Sequence, residues 1–187
     1  MRLQRAHRLA LARVHADVAS QLIKTLSQAL GEQVYVGLVG QRLCRFGDFI
    51  EPLTDPSCIF NFSMWSTTAE GRRDQRLGWG VFDVAMPVAR ILLGEDSTAP
   101  RPFTNADMKM LGPTIRGIIG ALQDAWSADD QGVAIGDIQL KNSPRNISAI
   151  DSGALSATVD MEIDFGSRAH PLYFCYPILL LEKLVRK

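Results

Sequence analysis

The side chains that most often support catalysis or bind metals are few in this sequence, and they are scattered. The histidines are His7, His15 and His170. They share no metal-ligand spacing with one another or with a cysteine, so the sequence does not indicate a zinc site. The first two lie in a helical pattern, where we expect them to be solvated. The third precedes a proline, where we expect a turn.

Thiols and alternating carboxylates form a second group of candidates. The cysteines are Cys44, Cys58 and Cys175. Their odd number and isolation argue against a disulfide framework or a thiolate metal site, so we interpret them as small buried hydrophobic residues. Asp160, Glu162 and Asp164 alternate and could form a carboxylate row for a metal. Such alternation is more typical of a solvated sheet face or edge.

Motifs for nucleophilic catalysis and nucleotide binding are also missing. No serine lies in a G-x-S-x-G elbow, and neither the dinucleotide fingerprint nor the phosphate-loop pattern occurs. Gly78 and Gly80 flank Trp79 in a loose G-x-G, which a twist or a close backbone approach within a strand explains more simply. We therefore expect no cofactor and no catalytic residue.

Composition indicates one folded domain. The chain has 187 residues, of which 47% are hydrophobic and 21% are charged. Its 20 basic and 20 acidic side chains cancel, so neither nucleic acid nor an anionic membrane is expected as the main partner. The apolar runs are far shorter than the roughly 20 residues of a membrane-spanning helix. A secretory signal pattern is lacking as well, and the sequence therefore predicts a cytoplasmic domain.

The first half of the sequence predicts a long helix, three strands and a short helix. The strands lie near residues 34–39, 57–62 and 77–82, and Pro87 begins the short helix, which stops at Gly94. The long helix ends at Gly31. Its predicted buried stripe is spaced three or four residues apart and consists of Leu9, Ala12, Ala16, Ala19, Ile23, Leu26 and Leu30.

The second half repeats this order of elements, which indicates an internal duplication with halves at about residues 1–95 and 102–187. Thr104 and Asp107 form a variant capping box at the start of a second long helix. Strands follow near residues 133–140, 155–163 and 172–174, and Pro177 leads a short helix. Gly117 and Gly120 predict that the two long helices pack closely.

Three stretches resemble a known family. Residues 45–59 contain an aromatic, a glycine, an acid and a phenylalanine before a proline turn into the second strand. Residues 103–107 and 174–182 match in the same order and spacing. Together they are similar to the middle domain of the flagellar motor switch protein FliM, which shares its fold with the CheC and CheX phosphatases. The resemblance implies an α/β, three-layer fold whose two pseudo-symmetric halves share a six-stranded mixed sheet covered by long helices.

The phosphatase relatives use a glutamate and an asparagine three residues later on their long helices to position the attacking water. The comparable positions here are Arg13 and Ala16 in the first helix, and Thr114 and Gly117 in the second. Neither pair can orient a water or engage a lysine. The resemblance therefore implies a binding protein and not an enzyme, with a divergent phosphatase of the CheC or CheX type as the alternative.

For a switch protein, the resemblance implies self-association into a ring through exposed faces of the long helices, and binding to the rotor protein FliG. The family carries a Gly-Gly-x-Gly loop at the position where residues 94–97 read Gly94, Glu95, Asp96 and Ser97. Together with Pro100 and Arg101, these residues form the expected rotor-contact loop, whose acids favour a basic partner surface.

Further partners follow from the same resemblance. FliN-like and CheY-like proteins would bind through family parts not found in this sequence, an acidic N-terminal peptide and a C-terminal β domain. A relative acting as an adaptor in type III secretion or chemotaxis is a further alternative. A small-ligand sensor that uses the space between the halves is another, although no convergent polar cluster supports it.

Overall fold

The computed structural model describes residues 3–95, 101–128, 132–165 and 168–185. The helices are α1 (Arg5–Leu30), α2 (Phe46–Ile50), α3 (Met86–Leu92), α4 (Asn105–Ser127) and α5 (Ile178–Val185). The strands are β1 (Tyr35–Arg45), β2 (Cys58–Thr67), β3 (Arg73–Val84), β4 (Val133–Lys141), β5 (Leu155–Phe165) and β6 (Arg168–Pro177). Within these residues, no helix combines the length and the apolar character that a membrane crossing requires.

The six strands form one sheet in the order β1-β5-β6-β3-β2-β4. If β1 is exchanged with β4, β2 with β5 and β3 with β6, the same order results when the sheet is read from its opposite edge. Two similar halves require such a symmetric order. Each neighbouring pair is antiparallel, so the expectation of a mixed sheet is wrong. The reason is topological, because each half contributes an antiparallel hairpin and sends its first strand to flank the hairpin of the other half.

The buried face of α1 matches the predicted stripe only in part, since Ala19 and Leu26 are buried as predicted. Leu9 is 60% exposed, and Ala16 is also exposed. The helix packs against α4, β1 and α5, and large side chains fill the space between these layers with more apolar area than the predicted alanines would provide. The most deeply buried hydrophobic side chains are Leu11, Val14, Val18, Leu22 and Leu26.

The histidines of α1 lie on this buried face, so the expectation that they are solvated is wrong. His7 is 4% exposed and His15 is 0% exposed. The Nδ1–H of His15 donates to the Leu11 carbonyl at 2.9 Å, and its Nε2 accepts from the Tyr176 hydroxyl at 3.1 Å. Burial lowers the pKa of His15 to about 4, which keeps the ring neutral. His170 lies inside β6 and not at a turn, because the β5–β6 ladder continues to Arg168.

The two long helices pack closely at one of the two predicted glycines. A Cβ added to Gly117 would lie 2.7 Å from the Thr25 Cγ2 on α1, so any side chain there would have to displace Thr25. A Cβ added to Gly120 would meet nothing within 4 Å, so that glycine is not required by packing. The close helix approach is confirmed at Gly117 alone.

The sheet face opposite the long helices carries a smaller cluster, which completes the three layers. The aromatic rings of Phe46 and Phe49, both from α2, pack there with Ile147 and Ile150. These side chains cover one part of the face and leave the acidic end of β5 exposed. Glu162 and Asp164 lie in that solvated part, as the alternation predicted.

Candidate functional site

The predicted rotor-contact loop begins where α3 ends. Gly94 has φ +71°, a left-handed conformation that glycine adopts at no steric cost. Its N–H donates to the Ile91 carbonyl at 2.9 Å, and the N–H of Glu95 donates to the Arg90 carbonyl at 3.0 Å. These bonds close the last turn of α3, so Gly94 is a backbone requirement of the turn that leads into the loop.

A buried arginine holds both ends of the loop. Arg90 on α3 is 5% exposed, and its guanidinium forms an ion pair with Glu95 at the first end. Its Nη2 donates to the Arg101 carbonyl at 2.9 Å at the second end. The guanidinium also lies 5.5 Å from the ring centroid of the buried Phe103. One side chain therefore links the two ends of the loop to the core.

A second arginine connects the loop to the start of α4. Arg101 pairs with Glu95 and, through two nitrogens, with both carboxylate oxygens of Asp107, at 2.6 and 3.0 Å. Such bidentate pairs have well-defined geometry. Asp107 also belongs to the predicted capping box, because its Oδ2 accepts from the Thr104 N–H at 2.7 Å and its own N–H donates to the Thr104 Oγ1 at 3.3 Å. We call Arg90, Glu95, Arg101 and Asp107 the loop clamp.

The charges of the loop clamp reinforce one another. Hydrogen bonds from Arg90 and Arg101 lower the pKa of Glu95. Hydrogen bonds from Arg101 and the Thr104 N–H lower the pKa of Asp107, and the two carboxylates raise the pKa of Arg101. Both acids are therefore ionised at neutral pH and engaged within the chain.

The predicted loop residues divide into two groups. Gly94, Glu95 and Arg101 lie at the base of the loop and are held by the contacts above. Asp96, Ser97 and Pro100 lie outside the described residues. Because both oxygens of Glu95 accept from arginines of the same chain, Glu95 holds the base and does not present a free carboxylate to a partner.

Two members of the loop clamp were not identified as site residues from the sequence. The capping-box spacing indicated a role for Asp107 at the start of α4, but it did not indicate the ion pair of Asp107 with the loop. No sequence feature indicated Arg90, because a basic residue near a helix end is common and its burial depends on tertiary packing.

The positions that correspond to the phosphatase pair lie in different surroundings on the two helices. Arg13 and Ala16 on α1 are exposed. Thr114 on α4 is 7% exposed, and the space beside Gly117 is filled by α1. A solvent-facing pair on α4 is therefore not available even for other side chains at these two positions.

Metal binding and thiol chemistry have no geometric support in the part of the chain that the structure describes. No group of three histidine, cysteine or acidic side chains converges there to hold a metal. Cys58 and Cys175 are buried, as predicted, whereas Cys44 is half-buried. Burial raises the pKa of the Cys58 and Cys175 thiols, which keeps them protonated.

Comparison with known proteins gives the same fold. No protein-family profile matches the chain, and no curated protein matches it. A chain of the FliG–FliM complex from H. pylori matches with a TM-score of 0.81 and 20% identity, covering 99% of this chain and 100% of that chain. The FliM middle domain from H. pylori matches with a TM-score of 0.77 and 20% identity, covering 98% and 99%. FliY from Thermotoga maritima matches with a TM-score of 0.73 and 14% identity, covering 100% and 97%. The chain therefore has the fold of the FliM middle domain, and the fold expected from the sequence is confirmed apart from the strand directions of the sheet.

Proposed function

We propose that this chain is a flagellar motor switch domain that binds a FliG-like rotor protein and neighbouring copies of itself. The observation that carries the proposal is the loop clamp, which holds both ends of a loop at the place where the family has its rotor-binding loop. The similar H. pylori FliM was solved together with FliG. Loops that are held at both ends by a rigid scaffold commonly carry binding.

The proposal assigns different tasks to the parts of the loop. Gly94, Glu95 and Arg101 set the position of its ends, and residues 96–100 contact the partner. The exposed faces of α1 and α4 contact neighbouring copies. The domain acts in the cytoplasm, at the base of the flagellum, and transmits chemotaxis signals to the direction of rotation.

A titration calorimetry experiment with purified FliG tests the loop assignment. Asp96→Lys should weaken FliG binding about tenfold at low salt, since it reverses a charge at the contact, and should leave the melting temperature unchanged. Glu95→Lys should weaken binding and also lower the melting temperature, because it leaves the buried Arg90 without its carboxylate. Glu51→Lys, an equal charge reversal at an exposed position outside the loop, is the control. Unchanged affinity in Asp96→Lys would place the contact elsewhere.

The proposal also predicts that the domain has no phosphatase activity, since the catalytic pair is missing and Thr114 is buried. A phosphorylated receiver domain mixed with the protein should lose phosphate at its own intrinsic rate. Accelerated release with multiple turnovers would instead support the CheC-type alternative.

A further inference from the structure

A groove separates the first turns of α1 from the edge strand β1. It has a volume of about 430 Å³ and is lined by Arg5, Arg8, Leu9, Ala12 and residues 38–41. Its apolar side chains are unusually accessible, since Leu9 and Val39 are each 60% exposed and Leu38 is 40% exposed. Clustered exposed apolar side chains with a polar rim are typical of a binding surface.

The rim of this groove is basic. Arg5 and Arg8 are exposed and take part in no ion pair among the described residues. The first turn of α1 contains no acidic residue, and no acidic residue lines the groove. An occupant that carries negative charge beside apolar side chains is therefore complementary to it.

The floor of the groove offers backbone hydrogen bonds as well. β1 pairs with β5 on one side only, so its other edge is free among the described residues. The ladder is irregular between Leu38 and Gly40, and Cβ atoms added to Gly37 or Gly40 would meet nothing within 4 Å. An extended chain can therefore approach the backbone at this position.

In the second half of the fold, the residues before α4 meet the chain just beyond β4, the other edge strand. The N–H of Phe103 donates to the Asn142 Oδ1 at 2.6 Å, the Asn142 Nδ2 donates to the Phe103 carbonyl at 3.0 Å, and the Phe103 ring is buried. In the first half, the groove beside β1 is open.

We propose that the groove binds an extended acidic peptide segment of another protein, which adds a strand to the free edge of β1. Its alternate aliphatic side chains pack on Leu9, Leu38 and Val39, and its carboxylates pair with Arg5 and Arg8. This interaction shares no residue with the loop clamp and does not depend on binding to FliG.

Fluorescence anisotropy with a labelled, end-blocked eight-residue peptide of alternating glutamate and valine tests the proposal. The parent protein should bind it, with an affinity that falls as salt rises. Arg5→Glu/Arg8→Glu should weaken binding about tenfold or more. Arg72→Glu/Arg145→Glu makes the same two charge reversals at exposed positions in the β2–β3 and β4–β5 connections, outside the groove and both long helices, and should bind as the parent does. Amide NMR shifts on peptide addition should concentrate at residues 38–41.

Four results would overturn the proposal: no binding by the parent, equal loss in both double variants, equal binding of a lysine–valine peptide, or NMR shifts elsewhere. Sedimentation velocity of the parent without peptide provides a separate test. If the parent self-associates and the double arginine variant does not, the occupant is a second copy and the peptide proposal is wrong.

Discussion

Asp83 makes the pH dependence of stability a sensitive test of the structure. It lies on β3 opposite Ile59 and Tyr173, on the face away from the long helices. Its side chain is buried, with the residue 7% exposed, and its Oδ1 has no hydrogen-bond partner among the described residues. Burial without a compensating donor raises the pKa of Asp83 from 3.8 to about 7.

The sign of the pH dependence follows from the protonation of Asp83 in the folded and unfolded chains. Between about pH 4 and 7 the unfolded chain releases this proton while the folded chain keeps it, so stability falls as the pH rises through that window. At roughly 1.4 kcal/mol per pH unit, the full loss above pH 7 is ~4 kcal/mol as an upper limit. His15 acts in the opposite direction, because its pKa falls from 6.5 to about 4 and stability is lost as the pH falls, by ~3 kcal/mol at most. In the parent, the opposite pH dependences of stability from Asp83 and His15 therefore largely cancel.

The substitution Asp83→Asn removes the contribution of Asp83 to the pH dependence of stability and leaves that of His15 in place. Urea unfolding at constant ionic strength, followed by tryptophan fluorescence between pH 4.5 and 8, measures the free energy of unfolding. Relative to the parent, the variant should gain stability steadily as the pH rises to 7, by up to ~4 kcal/mol. Asp74→Asn on the exposed part of the same strand is the control and should run parallel to the parent. Parallel curves for parent and Asp83→Asn would refute the assigned burial.

The remaining predictions concern packing and capping around the two long helices. Gly117→Leu should lose about 1 to 3 kcal/mol in urea unfolding, because its side chain must displace Thr25. Gly120→Ala should be neutral or up to about 1 kcal/mol more stable, and equal losses in both variants would contradict the close approach at Gly117. Thr104→Ala should lose about 1 kcal/mol, since an N–H at the start of α4 loses its acceptor, and an unchanged melting temperature would show that the cap contributes little.

The order of elements was predictable from the sequence because turn and cap residues mark their ends. Pro87 near the start of α3, Gly94 after it, and Thr104 with Asp107 at the start of α4 all lie where the sequence placed them. These signals act over a few residues, so they do not depend on what the element packs against. Strand ends were less well predicted, since pairing with a neighbour extends strands beyond their apolar runs.

The orientation of α1 could not be predicted, because two apolar stripes compete on it. The alanine-rich stripe has the more regular spacing, but the stripe that includes Val14 and Leu22 has the larger side chains and is buried. The loop clamp was also hidden, since Arg90 and Asp107 come together only when α3 and α4 pack. Ion pairs between elements depend on tertiary geometry, and their residues have no fixed spacing in the sequence.

The two halves of the fold differ most where each long helix begins, and this difference separates the two proposed surfaces. At the start of α4, Asp107 neutralises Arg101, and the preceding segment is tied to the end of β4 through Asn142. At the start of α1, Arg5 and Arg8 have no such acid, and the groove beside β1 is open. The sheet has the same strand order from either edge, but the two helix starts differ in the charges that surround them. The start of α4 supports a loop with fixed ends, whereas among the described residues Arg5 and Arg8 form no ion pair and the outer edge of β1 pairs with no strand. Because the two surfaces share no ion pair or residue, a substitution at either one should leave binding at the other unchanged.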